Sequence, residues 1–100
     1  YNIGKYLFKS LKKIQKNYSD QISEVRGRGL FIGIDLIKYK NHIPNKKLAI
    51  KLINHMKDKG ILLSTDGPYN NVIKIKPPLP FNIHDCDYLT YELNKFFKNN

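Results

Sequence analysis

Residues 60–81 read GILLSTDGPYNNVIKIKPPLPF and decide most of the predicted fold. Gly60 is predicted to end a helix, residues 61–63 to form a short buried strand, and residues 64–71 to form a loop of turn-forming side chains. Side chains then alternate over residues 72–76, as expected for a strand with one buried face. The prolines that follow cannot donate to a ladder and end that strand. The stretch therefore predicts two short strands behind a helix.

The second of these strands carries its charges on one side. Alternation places Ile73 and Ile75 on one face, and Val72, Lys74 and Lys76 on the other. Two lysines therefore share the face turned away from the predicted core. Lys76 is expected to be solvated, because it lies at the end of the strand.

Three segments have the apolar period of amphipathic helices. Their predicted core positions are, in chain order, Ile3, Leu7, Leu11 and Ile14; Leu48, Ala49, Leu52, Ile53 and Met56; and Leu89, Leu93 and Phe96. Asn82 is predicted to cap the third helix, with Asp85 at the spacing of a capping box.

Two further strands are predicted at residues 22–26 and 30–37, with Gly27 and Gly29 flanking Arg28 between or beside them. Paired glycines also occur in dinucleotide-binding fingerprints, but there they open a helix, whereas here a strand follows. The longest unassigned connection is residues 38–45. The order helix, strand, strand, helix, strand, strand, helix predicts one α+β domain, a two-layer sandwich with a small, mostly antiparallel sheet and helices on one face.

Composition limits the classes of function. A chain of 100 residues is long enough for one small core. Its net charge of +10 raises nucleic acid or an anionic membrane as partners, but the lysines recur on the polar sides of all three helices, which favours a solvated surface. The strands lack the aromatic signature of RNA-recognition sheets. We therefore predict neither a nucleic-acid nor a membrane partner.

Catalytic and metal-binding signatures are weak. The three histidines, His42, His55 and His84, lack the spacing of metal ligands, and a single cysteine, Cys86, allows no internal disulfide. A Ser/His/Asp set could be drawn from Ser64, His55 and Asp66, but no nucleophile-elbow motif accompanies it. The residues predict no metal site and no catalytic residue within this chain.

Two separated motifs carry a family resemblance. The segment VRGRGLFIGIDL at residues 25–36 resembles a signature widespread among class III pyridoxal-phosphate enzymes, and LLSTDGP followed by NVIKIKPPL resembles their amine-phosphate phospho-lyase branch. Together they resemble the C-terminal small domain of these enzymes over essentially residues 1–100. The resemblance implies that a large domain holding the cofactor lies outside this chain, and that this chain alone is inactive.

The resemblance also implies roles for particular residues. Many class III transaminases carry an arginine, which pairs with a substrate carboxylate, where this chain has Lys74. An ammonium is a point charge equally suited to phosphate, so this departure favours a lyase. Lys74 is thus the predicted substrate-binding residue, and Arg26 and Arg28 are candidate contacts for phosphate or a dimer partner. No residue is expected to bind the pyridoxal phosphate itself.

The implied function is release of ammonia and phosphate from a phosphorylated amine, phosphoethanolamine or phosphohydroxylysine, by a homodimeric, pyridoxal-phosphate-dependent parent enzyme. Three alternatives stay open: the small domain of a class III transaminase, a basic α+β module that binds nucleic acid, and a truncated, inert product. The resemblance is compatible with a mitochondrial or a cytoplasmic location.

Overall fold

A computed structural model describes residues 3–28, 31–39, 41–77 and 81–100, apart from the side chain of Arg28. In chain order the elements are α1 (Ile3–Asn17), β1 (Ile22–Arg28), β2 (Phe31–Lys38), β3 (Ile43–Pro44), α2 (Lys46–Asp58), β4 (Ser64–Asp66), β5 (Val72–Ile75) and α3 (Ile83–Lys98). All strand pairs are antiparallel, in the order β1-β2-β5-β4, and β3 pairs with β2. The predicted α+β fold class is confirmed.

Helix α1 forms because its apolar residues recur on one stripe while its lysines occupy the other faces. Leu7, Leu11 and Ile14 are buried in the core, as predicted, and Ile3 packs against it partly buried. Its lysines at i,i+4 spacing repel one another, at a cost of a few tenths of a kcal/mol per pair. Docking on the rest of the domain therefore supplies most of its stability.

The strands bury one face against the helices. Ile34 pairs with Val25 in β1 and with Ile73 in β5, and all three residues belong to the same core cluster as the buried residues of the helices. Because successive side chains on a strand point to opposite faces, residues 31, 33 and 35 of β2 face away from this core. We call this opposite side the open face of the sheet.

The end of α2 is closed as the sequence predicts. Gly60 has a φ of +80°, a backbone conformation that side-chain-bearing residues rarely adopt. The Gly60 amide donates to the Lys57 carbonyl at 3.0 Å, and the Ile61 amide donates to the Met56 carbonyl at 2.8 Å. This pair of bonds is the Schellman motif, which uses carbonyls that the helix leaves unpaired.

The strand predicted at residues 61–63 is wrong in position. Strand β4 is Ser64–Asp66 and pairs with β5, with Ser64 opposite Lys74. The amide of Ile61 is already used to close α2, and the side chain of Leu62 is 84% exposed. Ile61 and Leu63 are apolar because they pack against the core, which the sequence pattern does not distinguish from strand pairing.

Other boundaries move less. The connection predicted at residues 38–45 contains the two-residue strand β3, which pairs with the end of β2. The proposed start of the second strand at Leu30, and Pro78 after β5, lie outside the described residues. Helix α3 begins with the predicted capping box: Asn82 Oδ1 accepts from the Asp85 amide, and Asp85 Oδ2 accepts from the Asn82 amide, both at 3.0 Å.

Candidate functional site

Two cations flank a glycine on the open face. In the antiparallel register Arg26 of β1 lies opposite Gly33 of β2, and Lys74 of β5 lies opposite the same glycine from the other side. Gly33 is buried although it faces away from the core. The two residues predicted to contact substrate or phosphate therefore lie on one row across three strands.

The two cations lean in opposite directions along β2. The Arg26 guanidinium reaches Asp35, where Nη2 donates to Oδ1 at 2.6 Å. The Lys74 Nζ lies 4.4 Å from the centre of the Phe31 ring, a cation–π distance. The two cations therefore point away from each other. Gly33, which lies between them, has no side chain to fill the gap.

A small cavity lies on this face, with a volume of about 210 Å³. Its walls are Arg26, Phe31, Gly33, Asp66, Gly67 and Val72. It is open to solvent and carries a cation on one wall and a carboxylate on another. Such a site offers charge-assisted hydrogen bonds to a small polar ligand.

Arg26 and Asp35 form a partly exposed ion pair, with 38% and 21% of their side chains exposed. Burial raises the pKa of the Asp35 carboxyl; the Arg26 guanidinium opposes this rise, and the charge of Glu24 adds to it. Desolvation therefore outweighs the attraction of Arg26. The guanidinium is already committed to a carboxylate, so it is less available to an incoming anion than the Lys74 ammonium.

The remaining predicted candidates are not brought together. His55 Nε2 lies 3.2 Å from Oε1 of the buried Glu92 on α3, and its ring makes a tilted contact with Phe96. Ser64 and Asp66, in contrast, lie on β4 of the sheet. The Ser/His/Asp set is thus not assembled. Across the ranges that the structure describes, no cluster of three or more histidine, cysteine or acidic residues could hold a metal ion.

Cys86 is enclosed in the core rather than offered to substrate. Its side chain is fully buried, and burial raises the pKa of the thiol to about 11, with the charge of Asp87 adding to the rise. A thiol in this state is a poor nucleophile, because the thiolate is the reactive form.

A larger depression of about 610 Å³ lies between residues 60–63, the end of β5 and the start of α3. Ile61, Leu63, Phe81, Tyr88 and Leu89 give it a mostly apolar lining. Its one carboxylate, Asp85, is engaged in the cap of α3. Lys76 is its one cation, so this depression carries one positive and one negative side chain, as the cavity on the open face does.

Sequence reasoning selected Lys74 and Arg26 as candidates, and their roles stay predictions; it missed the residues that lie beside them, namely Phe31, Gly33 and Asp35. Alternation along residues 31–35 places these three residues on one face of the strand. Pairing with both neighbouring strands puts that face on the same side of the sheet as Lys74. The register was needed to see it. The side chain of Arg28, the other predicted phosphate or dimer contact, lies outside the described residues.

The described residues do not fit a site for pyridoxal phosphate, which the resemblance assigns to a domain outside this chain. Every lysine among them except Lys74 is exposed, and Lys74 lies against Phe31 without a carboxylate beside it. A Schiff-base lysine needs a cofactor-binding pocket and an acidic partner for the pyridine nitrogen.

No helix in the ranges that the structure describes is long and apolar enough to cross a membrane.

Comparison with known proteins agrees with this architecture. Residues 1–97 match the model of the family described as aminotransferase class III, so the chain belongs to that family. The family depends on pyridoxal phosphate.

Individual relatives are more specific. An ethanolamine-phosphate phospho-lyase homolog 1 of Caenorhabditis elegans is 49% identical over 82 residues, 80% of this chain and 17% of the relative. An alanine–glyoxylate aminotransferase 2-like protein of Drosophila melanogaster is 42% identical over 87 residues, 85% of this chain and 17% of the relative. The chain thus spans about a sixth of the length of these relatives.

A solved structure extends the agreement to the whole fold. A phospholyase from Arthrobacter, in complex with phosphoethanolamine, superposes with a TM-score of 0.90 at 37% identity. The match covers 98% of this chain and 23% of that chain. The predicted family resemblance, including its phospho-lyase branch, is confirmed.

Proposed function

We propose that this chain is the C-terminal small domain of a pyridoxal-phosphate-dependent phospho-lyase, which releases ammonia and phosphate from a phosphorylated amine such as phosphoethanolamine or phosphohydroxylysine. The observation that carries the proposal is an ammonium, Lys74, on the open face of the sheet, where many class III transaminases have an arginine. The named relatives support the same substrate class.

The proposed role of this domain is to bind and orient the substrate. Lys74 contributes a point charge suited to the phosphate group, and Arg26, paired with Asp35, lies on the far side of Gly33 in the same row. When bound in the parent protein, the cofactor supplies an electron sink for cleavage next to the amine. Because the described residues offer no place for it, we propose that a large domain and a dimer partner hold it and that this chain alone is inactive.

The overall chemistry balances without a redox partner. Water and a phosphorylated amine yield an aldehyde, ammonia and inorganic phosphate, and the bond between carbon and the phosphate oxygen breaks. A transaminase instead passes the amine to a keto acid and leaves the phosphate in place. Phosphate release therefore separates the two activities of the family.

The test is an assay of the complete protein that contains this domain, with phosphoethanolamine and phosphohydroxylysine as substrates. We expect release of phosphate and ammonia in equal amounts and no requirement for a keto acid. Transfer of the amine to a keto acid without phosphate release would show that the transaminase alternative is correct.

Lys74→Ala tests the proposed substrate contact. A hydrogen bond to a charged group contributes about 1.5–3 kcal/mol, so kcat/KM for the phosphorylated amine should fall roughly 10- to 150-fold with cofactor absorbance unchanged. Lys76→Ala, two residues further along and exposed, is the matched control and should stay within about twofold of the parent protein. Equal effects of the two substitutions would remove Lys74 from the substrate site.

A further inference from the structure

The position of the Lys74 ammonium is set by an aromatic ring. Nζ lies 4.4 Å from the centroid of Phe31, within the range in which the negative face of a ring attracts a cation. An ammonium has three donors and no acceptor. Contact with a ring on one side leaves donors free for an anion on the other.

The register explains how the two side chains meet. Lys74 lies opposite Gly33, and Phe31 lies two residues before Gly33 on the same face of β2. Lys74 and Phe31 are therefore diagonal neighbours. Diagonal neighbours on a sheet lie roughly 7–8 Å apart at Cα, within reach of a lysine and an aromatic side chain. With no side chain at Gly33, nothing on β2 stands between them.

The space at Gly33 is limited on its other side. A Cβ added there would lie 3.3 Å from Cγ1 of Val72, closer than ordinary van der Waals contact. A side chain at this position would therefore press on Val72, and the glycine leaves the row between Arg26 and Lys74 free of a side chain from β2.

Arg26, the other cation of this row, is held differently. Its guanidinium donates to Asp35 at 2.6 Å, whereas no carboxylate among the described residues pairs with Lys74. An anion reaching Arg26 must share the guanidinium with Asp35. An anion reaching Lys74 meets an ammonium that is oriented by a ring and not neutralised.

We propose that Phe31 is a positioning residue, whose ring holds the Lys74 ammonium ready for the phosphate group of a phosphorylated amine. The inference deepens the proposed function and rests on it. Without the ring, the lysine side chain would lose part of its orientation and binding of the anion would cost more conformational entropy. Phe31 itself contacts no reacting atom in this role.

The test uses the complete protein that contains this domain and the variants Phe31→Leu and Phe31→Met, which keep apolar bulk and remove the ring. A cation–π contact at a partly exposed site corresponds to roughly a two- to fivefold change in an equilibrium. We expect KM for phosphoethanolamine, and the inhibition constant of inorganic phosphate as a competitor, to rise by that factor, with kcat nearly unchanged. Phe31→Tyr, which retains the ring, should restore both constants.

Phe8→Leu is the matched control. Lys12 Nζ lies 5.5 Å from the Phe8 ring on α1, which packs against the core, so this substitution removes a similar contact on the side of the sheet opposite the open face. It should leave KM and the phosphate inhibition constant unchanged. A rise equal to that of Phe31→Leu would overturn the proposal, because it would reflect a general effect of losing surface rings.

Other outcomes would also overturn it. Lower constants in Phe31→Leu would mean that the ring competes with the anion, and a loss confined to kcat, accompanied by a lower melting temperature and not restored by tyrosine, would mean that Phe31 acts only through packing. If Lys74→Ala weakens substrate binding while all Phe31 variants behave like the parent protein, this inference fails and the proposed function stands. If Lys74→Ala has no effect, the substrate contact in the proposed function fails with it.

Discussion

The buried thiol of Cys86 leads to a quantitative prediction about stability at high pH. Folding raises its pKa from the ordinary value of 9.0 to about 11. A group with a raised pKa in the folded state stabilises the fold below its unfolded pKa, and this contribution is lost as the pH rises through the folded value. The thiol should therefore destabilise the domain between about pH 9 and pH 11.

The size of this effect follows from the shift. A shift from 9.0 to about 11 corresponds to at most about 3 kcal/mol of stability. A small domain is stable by roughly 5–15 kcal/mol, so the change is a sizeable fraction of the total. Urea unfolding followed by circular dichroism from about pH 8 to pH 11.5 measures it through the unfolding midpoint and slope.

The control is Cys86→Ala, which titrates the same lysines and tyrosines but lacks the thiol. Below about pH 9 it should be less stable than the parent protein by about 1 kcal/mol, because a buried atom is removed. The stability advantage of the parent protein over this variant should shrink as the pH rises from 9 to 11 and should reverse if the full shift is realised. If the two curves run parallel over that range, the thiol does not titrate as its burial implies and the reasoning is refuted.

Two further predictions concern the open face and α3. Asp35→Asn removes a carboxyl whose pKa is raised in the folded state, so the variant should gain stability relative to the parent protein as the pH rises above the ordinary value of 3.8. A relative loss over this range in urea unfolding would show that the pairing with Arg26 dominates. Asn82→Ala should lower the free energy of unfolding by about 1 kcal/mol. Asp85→Ala should lower it less in the Asn82→Ala background than in the parent protein, because each side chain caps the backbone amide of the other residue. Strict additivity in a double-mutant cycle would contradict the capping box.

The helices could be predicted because their signals are local. The spacing of Leu7 and Leu11, the cap at Asn82 and the glycine at Gly60 each act within a turn or two of the chain, and each has the predicted structural role. Strand β4 could not be placed by the same reasoning. Its residues, Ser64–Asp66, are polar and belong to the sheet only through their pairing with β5, which is a tertiary contact. Ile61 and Leu63 before them are apolar and pack on the core without joining a strand.

The candidate site divides in the same way. Lys74 and Arg26 could be selected from charge, alternation and family resemblance. Their partners, Phe31 and Asp35, depend on which residues face each other across strands, and antiparallel register is a tertiary property. A shift by one residue would have put Gly33 beneath a different side chain and separated Lys74 from the ring.

The packing of α1 against α3 has a consequence for the order in which the protein is made. Tyr6 Oη donates to Asp87 Oδ1 at 2.6 Å across 81 residues, and the side chain of Gln21 donates to the carbonyl of Phe97 across 76. During translation, α1 therefore emerges long before the helix that covers it, and its apolar stripe stays accessible in the interval. Until α3 has been synthesised and can pack on α1, the nascent chain is open to chaperones and to aggregation.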